Sequence, residues 1–588
     1  MGSAVSPIIF AVAGLSGQTC PDATLFTEGL EGPIAHVRYL ADDALAGRDP
    51  GTDGERCAGE YIAARFAEAG LQPAGDAGSW FQTFEVRTGS RLAAGNVAAI
   101  GAESTDVLDG WVPFGFSASA SAQAPLIWVG AGVTLPEGDD AGATEVPADL
   151  SGRIAVVEAT TPGHSEASLY SDPHFKASVL ARRGAAGVIV LLAESAALPD
   201  PQMERRPAVA VPTIAVAGEL AARVREAAHQ GTSASLITAV EPAYAQARNV
   251  VALLPGTDAA RAGEVVIVGA HYDHLGMGGD GSLEPGVTAI HNGADDNASG
   301  TAGLIETARR LAMGPAPERP VLFVAFSGEE KGLLGSAWFT DHPTVAIDRA
   351  VAMLNMDMIG RLRDNTLTIF GMATAPEWEG LLTDLNTSLA MVPASAATGT
   401  DAGLLNLALM PDGYGPSDHS EFYAEGIPVL HFFTNTHGEY HRPADDWQTL
   451  DGEGLERVTR FVTATARRLA GPQQGAVLGS LTPVAAQPPA PGAEGESRGY
   501  GPYFGSIPDM AASVEYGVRL SGVREDSPAA RAGLQAGDVL VRFGDVEVTD
   551  LYAFTYALRD ARPGDRVDVV IEREGVRYTF NAVLGERR

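Results

Sequence analysis

The chain has 588 residues, 45% of them hydrophobic, and a formal net charge of −34 at pH 7. That length corresponds to three or four domains at about 150 residues each, and the apolar content supplies the cores that a disordered chain lacks. The charge excludes nucleic acid and anionic membranes as main partners, and no stretch reaches the roughly 20 apolar residues of an integral membrane span.

Residues 1–22 read as the remnant of an export signal. Pro7 to Leu15 is a short apolar run, and Ala11-Val12-Ala13 has the small-residue pattern of a cleavage site, although no Lys or Arg precedes it. Such a signal implies a periplasmic or extracellular location. Gly17-Gln18-Thr19-Cys20 lacks the small residue expected before a lipidated cysteine. The two cysteines, Cys20 and Cys57, are too few for a disulfide scaffold or a Cys-rich zinc site. Any transition metal therefore sits on His, Asp and Glu.

From Ile34 to Ala74 the pattern is helical, broken by a loop from Ala46 to Gly54. Cys57, Tyr61, Ile62, Phe66 and Leu71 recur at near-helical spacing, which assigns Cys57 to the core. A strand-like piece, Asn96 to Ile100, has a counterpart from Asn249 to Gly256. The residues between them read as an inserted domain (105–245) that splits a larger domain into 23–104 and 246–470. Its clearest marks are Asp149 to Val157 and, after a helix, Gly184 to Leu191. In the larger domain Val265–Val268, Val321–Phe326, Val351–Leu354 and Ile427–Phe433 are short, apolar and rich in β-branched or aromatic residues. They alternate with amphipathic helices, which predicts an α/β fold with a mostly parallel central sheet flanked by helices. Residues 471–497 form a Pro/Ala/Gln-rich linker. Residues 498–588 have the short strands, Gly turns and two short helices of a separate β-rich domain.

Chemistry-bearing residues follow the apolar runs. His271 and Asp273 follow the first, Ser327-Gly328-Glu329-Glu330 the second, Asn355-Met356-Asp357 the third, and a loop with Tyr440-His441 the fourth. Asp295-Asp296 opens a helix with an apolar face at Ala302, Ile305, Ala308 and Leu311. In a parallel sheet the carboxyl ends of the strands converge on one crevice. Each element alone reads as structural: a satisfied histidine, a solvated turn, a helix cap. Together they crowd several carboxylates, which repel one another unless cations neutralise them. Zinc prefers this nitrogen and oxygen set.

These pieces resemble the M28 family of co-catalytic zinc peptidases. Gly269-Ala270-His271-Tyr272-Asp273, Gly293 to Gly300, Ser327 to Ser336, Asn355 to Gly360 and Tyr440-His441 occur in the family's order. The resemblance implies two zinc ions per chain, with His271 and Asp357 on one, Glu330 and His441 on the other, and Asp295 shared. It implies Glu329 as general base, Asp273 as the acceptor that orients His271, Tyr440 as oxyanion donor, and a cis peptide bond at Asp295–Asp296. The remaining histidines, His274, His291, His419, His431 and His437, have no ligand role under this resemblance. Gly276-Met277-Gly278-Gly279 is a site rim, and Ser417-Asp418-His419 lacks the Gly-x-Ser-x-Gly elbow of a serine hydrolase. The inserted part resembles a protease-associated (PA) domain. Ser527 to Leu540 resembles a bacterial PDZ domain, with Tyr503-Phe504-Gly505-Ser506-Ile507 at the place of a loop that captures a peptide C-terminus.

The implied activity is removal of N-terminal residues from peptides. A dipeptidase or glutamate-type carboxypeptidase of the same family is the alternative, with Arg361, Arg363 and Arg442 available for a substrate carboxylate. A catalytically dead binding protein conflicts with the full ligand set, and a single-zinc glutaminyl cyclase with the pair Glu329-Glu330.

Overall fold

The computed structural model describes residues 19–132, 146–162, 171–204, 208–390, 404–471 and 481–484, apart from 28, 280 and 285–286, and most of 504–585. The export-signal run Pro7 to Leu15, most of the linker, Tyr503 and Ala536 lie outside the described residues.

A nine-stranded sheet organises the larger domain. Its centre is parallel: Val321–Phe326, Val266–His271, Ala352–Met356 and Val429–Phe433 lie side by side in that order. Every residue of the first three is buried, as expected for strands covered on both faces. Side chains alternate between two cores. Val266, Val268, Phe323 and Leu354 join helices Pro33–Leu40, Asp53–Glu68, Gly300–Met313 and Gly452–Ala470 on one face. Ile267, Leu322, Val324 and Met353 meet Phe339 and Phe422 on the other. Strand Val266–His271 includes His271 itself, so this imidazole is fixed by the sheet rather than by the loop beyond it.

Cys20 and Cys57 are joined by a disulfide that ties the N-terminal segment to helix Asp53–Glu68. Part of the expected linker belongs to this domain as well. Leu481 is buried in its core, and Thr482 bonds Glu377.

Between the paired strands Phe81–Leu92 and Val240–Leu254 the chain builds a separate eight-stranded sheet, from Val97–Ile100 to Ser233–Ile237. In its helix Pro173–Arg182, the Lys176 ammonium is fully buried and donates to the carbonyls of Glu158 and Ala159 at 2.8 and 3.0 Å. Burial pulls the Lys176 pKa down to about 7, against about 10.4 for an exposed lysine. Between those values the unfolded chain holds a proton that the folded chain has released, so folding becomes more favourable as pH rises through that window. Lys176→Met should remove this slope. In denaturant titrations at about pH 7 and about pH 9.5 the wild-type midpoint is expected to rise more than that of the variant.

The C-terminal residues form a six-stranded antiparallel sheet whose edge strand, Ser506–Pro508, pairs with Val518–Val523. Phe175 and Val179 of the inserted unit pack into the same cluster as Phe504, Leu540 and Ile571.

Candidate metal centre

The carboxyl ends of the parallel strands bring the charged residues together. His271 Nε2 lies 3.3 Å from Asp357 Oδ1, 3.4 Å from Asp296 Oδ1 and 3.9 Å from Glu329 Oε2. His441 Nε2 lies 3.1 Å from Asp296 Oδ2 and 3.2 Å from Glu330 Oε2. The other oxygen of Glu330 is 2.6 Å from His274 Nδ1. Asp296 thus faces both outer imidazoles, one carboxylate oxygen to each.

Backbone contacts set these directions. Asp273 accepts the N–H groups of Glu329 and Glu330 at 3.2 and 3.4 Å, which holds the Glu-Glu turn against the His271 strand. Asp445 Oδ2 accepts the N–H groups of Asp295 and Asp296 at 2.9 and 3.1 Å. His441, at φ 54°, is aimed by a hydrogen bond from its Nδ1 to the Gly281 carbonyl at 2.8 Å. That bond leaves Nε2 with its lone pair toward the carboxylates, the tautomer a metal ligand needs.

Burial makes the cluster electrostatically demanding. Burial, with the charges of Glu330 and Asp357, pushes the Glu329 carboxyl well above the usual carboxylate range, against the pull of His271. Burial also opposes charge on Glu330, yet His441 and His274 hold its pKa below the usual range. Two groups of ligand atoms, His271/Glu329/Asp357 and His274/Asp296/Glu330, each fall within 4.8 Å. His271 Nδ1, His274 Nε2 and His441 Nε2 are buried without a hydrogen-bond partner. Unpartnered buried imidazole nitrogens among carboxylates fit divalent cations, and the mixed nitrogen and oxygen set fits zinc.

Residues 249–466 match the family model "Peptidase family M28", and residues 504–584 match "PDZ domain". The segment that carries the site is thus similar to the M28 peptidases. It is similar to Aminopeptidase YwaD of Bacillus subtilis (strain 168), 28% identical over 209 residues, covering 34% of this chain and 40% of that protein. It is similar also to a probable leucine aminopeptidase of Trichophyton verrucosum (strain HKI 0517), 29% identical over 231 residues, covering 38% of this chain and 56% of that protein. The matches thus span only 40–56% of the length of these curated relatives. The solved structure of BSAP, a zinc aminopeptidase from Bacillus subtilis, aligns at 22% identity with a TM-score of 0.46, covering 76% of this chain and 97% of that one.

The site departs from the expected ligand set first at Asp295. Asp295 does not face the imidazoles of His271 and His441. Its Oδ1 accepts from Gly360 N–H at 2.7 Å and Ser299 Oγ at 3.0 Å, and its Oδ2 lies 3.3 Å from His437 Nε2. These anchors turn Asp295 away and leave Asp296 in the shared position. The cis peptide bond is likewise one residue further on, at Asp296–Asn297.

Asp273 is also placed differently. Its Oδ1 stands 3.7 Å from His271 Nδ1, beyond hydrogen-bond distance, because both its oxygens serve the Glu-Glu turn. His274, read from the sequence as having no ligand role, stands beside Glu330 within the second group. Tyr440 stacks on the His441 ring with centroids 3.8 Å apart. Of the other histidines, His291 bonds Ser282 and Ala289 on the rim, and His419 stacks on His431 below the site. Ser417 accepts a bond from Asn355 and belongs to no serine triad.

Proposed function

We propose that the chain is a two-zinc aminopeptidase that removes N-terminal residues from peptides. The observation that carries this reading is the Asp296 carboxylate facing His271 on one side and His441 on the other, with the largely shielded Glu329 beside His271. His271 and Asp357 would hold one ion, Glu330 and His441 the other, and Asp296 both. Ions bound there supply a polarised water and stabilise negative charge on the scissile carbonyl oxygen.

The chain's own groups do the rest. Glu329 takes the proton of the attacking water and returns it to the nitrogen of the leaving amine. Tyr440, held against His441, donates to the carbonyl oxygen. Gly281 and Asp445 keep His441 and Asp296 in place throughout.

The names of the curated relatives support the amino-terminal specificity, and so do the arginines. Arg361 pairs with Glu439 and bonds Thr449. Arg363 donates to the carbonyls of Thr434, Asn435 and Thr436. Arg442 pairs with Glu284. Each guanidinium is committed, so the three offer no ready clamp for a substrate carboxylate of the kind a carboxypeptidase needs.

The Cys20–Cys57 disulfide supports a periplasmic or extracellular location, because such bonds persist in oxidising compartments. A peptide C-terminus is the proposed ligand of the PDZ domain, where the edge strand Ser506–Pro508 has the position for strand addition.

A panel of substrates tests the reading. Leucyl-anilide should be hydrolysed, its N-acetylated form should not, and a chelator should stop the reaction until zinc is restored. Hydrolysis that requires a free carboxylate instead would move the enzyme to the carboxypeptidase alternative.

A further inference from the structure

Arg48 lies far outside the segment that matches the M28 model, yet its side chain ends behind the metal centre. It is completely buried. Nε donates to the Tyr272 carbonyl at 2.7 Å, Nη1 to the carbonyls of Asn292 at 2.7 Å and of Leu40, and Nη2 to Gly293 at 3.0 Å. Tyr272 lies between His271 and Asp273, and Asn292-Gly293 leads into Asp295-Asp296. One guanidinium therefore bonds two of the segments that carry site residues.

The surroundings of Arg48 admit little slack. Its own carbonyl accepts the His274 N–H at 3.4 Å. The preceding Gly47, at φ 71°, runs so close that a Cβ there would stand 2.5 Å from the His291 carbonyl and 2.6 Å from that of Gly276. The following Asp49 pairs with Lys331, next to Glu330, at 3.5 Å. Isolating a charge in a protein interior is very costly unless hydrogen bonds and opposite charges compensate it. Four carbonyls do so here, helped by the nearby carboxylates of Asp273, Asp296, Asp445 and Glu330. Such a fork suits arginine alone, since the lysine ammonium is a point donor.

We propose that Arg48 is a positioning residue of the metal centre, whose guanidinium sets the spacing between the His271–His274 and Asn292–Asp296 segments and so brings His271, His274 and Asp296 face to face. This rests on the two-metal reading above. A plug that merely fills the core predicts a loss of stability and nothing else. A spacer predicts a folded protein with a distorted metal site.

The test uses the full chain as wild type, Arg48→Lys and Arg48→Met. Each metal-depleted protein is checked for folding by circular dichroism, titrated with Zn2+ against a chromophoric chelator, and loaded with Co2+ for its visible spectrum. Arg48→Lys keeps the charge and most of the volume, so it remains the decisive variant if Arg48→Met does not fold. Both variants are expected to bind at least one ion about 10–100-fold more weakly, as for other residues that orient metal ligands. The cobalt bands should shift, and kcat should fall in saturating zinc with KM little changed. Wild-type affinity and cobalt spectrum in Arg48→Lys, whatever its melting temperature, would overturn the proposal. Failure of the wild type itself to bind divalent ions would instead overturn the two-metal reading and this proposal with it.

Discussion

Replacing Asp296 with asparagine is expected to abolish hydrolysis and to weaken metal retention by more than about 100-fold, beyond the 10–100-fold typical of residues one step removed from a metal. Both oxygens of Asp296 face an imidazole, so the lost charge is felt on both sides of the site. Asparagine keeps the volume but presents one amide N–H2 to groups that need an anion. Asp295→Asn is the matched control. Its accepting oxygen still receives the Gly360 and Ser299 donors, so its effect should be much smaller. Metal content per chain and anilide turnover, measured on both variants, decide the matter. A larger effect at Asp295 would return the shared role to that residue.

Glu329→Gln is expected to lower kcat by about 10²–10⁴, the range for loss of a general base. Metal content and KM should stay near the wild-type values. The prediction is sharp because Glu329 and Glu330 are neighbours in sequence but stand differently in the site. Glu330 is paired at 2.6 Å with His274 and at 3.2 Å with His441, whereas the nearest imidazole to Glu329 is 3.9 Å away. Glu329 is the carboxylate that burial pushes toward its protonated form, while Glu330 stays anionic. A base that must accept and return a proton needs that contrast. Loss of metal together with activity would make Glu329 a ligand instead.

The sequence carries the framework of this site because the framework is local. Apolar runs such as Val321–Phe326 mark strands buried on both faces, and the polar residues just beyond them inherit a common edge. What the sequence hides is set from a distance. Asp295 and Asp296 are chemically identical neighbours, and the choice between them depends on Gly360 and Asp445 anchoring the turn. The pairing of Cys20 with Cys57 depends on how the N-terminal segment lies across helix Asp53–Glu68. Arg48 sits in a Gly- and Asp-rich loop that reads as an ordinary turn, and its acceptors at Tyr272, Asn292 and Gly293 are brought to it only by the tertiary fold. His274 differs from the other unassigned histidines in one legible respect, its place three residues beyond His271 at the end of the same strand.

The inserted unit leaves and returns through two paired antiparallel strands, from Phe81 opposite Val250 to Leu92 opposite Val240, with one register shift between Ala243 and Tyr244. To the peptidase domain this ribbon acts as a hairpin whose tip happens to carry a second globule. Loop closure grows only with the logarithm of loop length, about 0.6 kcal/mol for each doubling, and the ribbon has already brought the two ends together. The size of what hangs from it is therefore nearly irrelevant to folding of the metal centre. Natural or engineered chains with a different module, or a plain turn, joined at the Leu92–Val240 rung should build the same larger domain, which leaves the inserted module open to exchange.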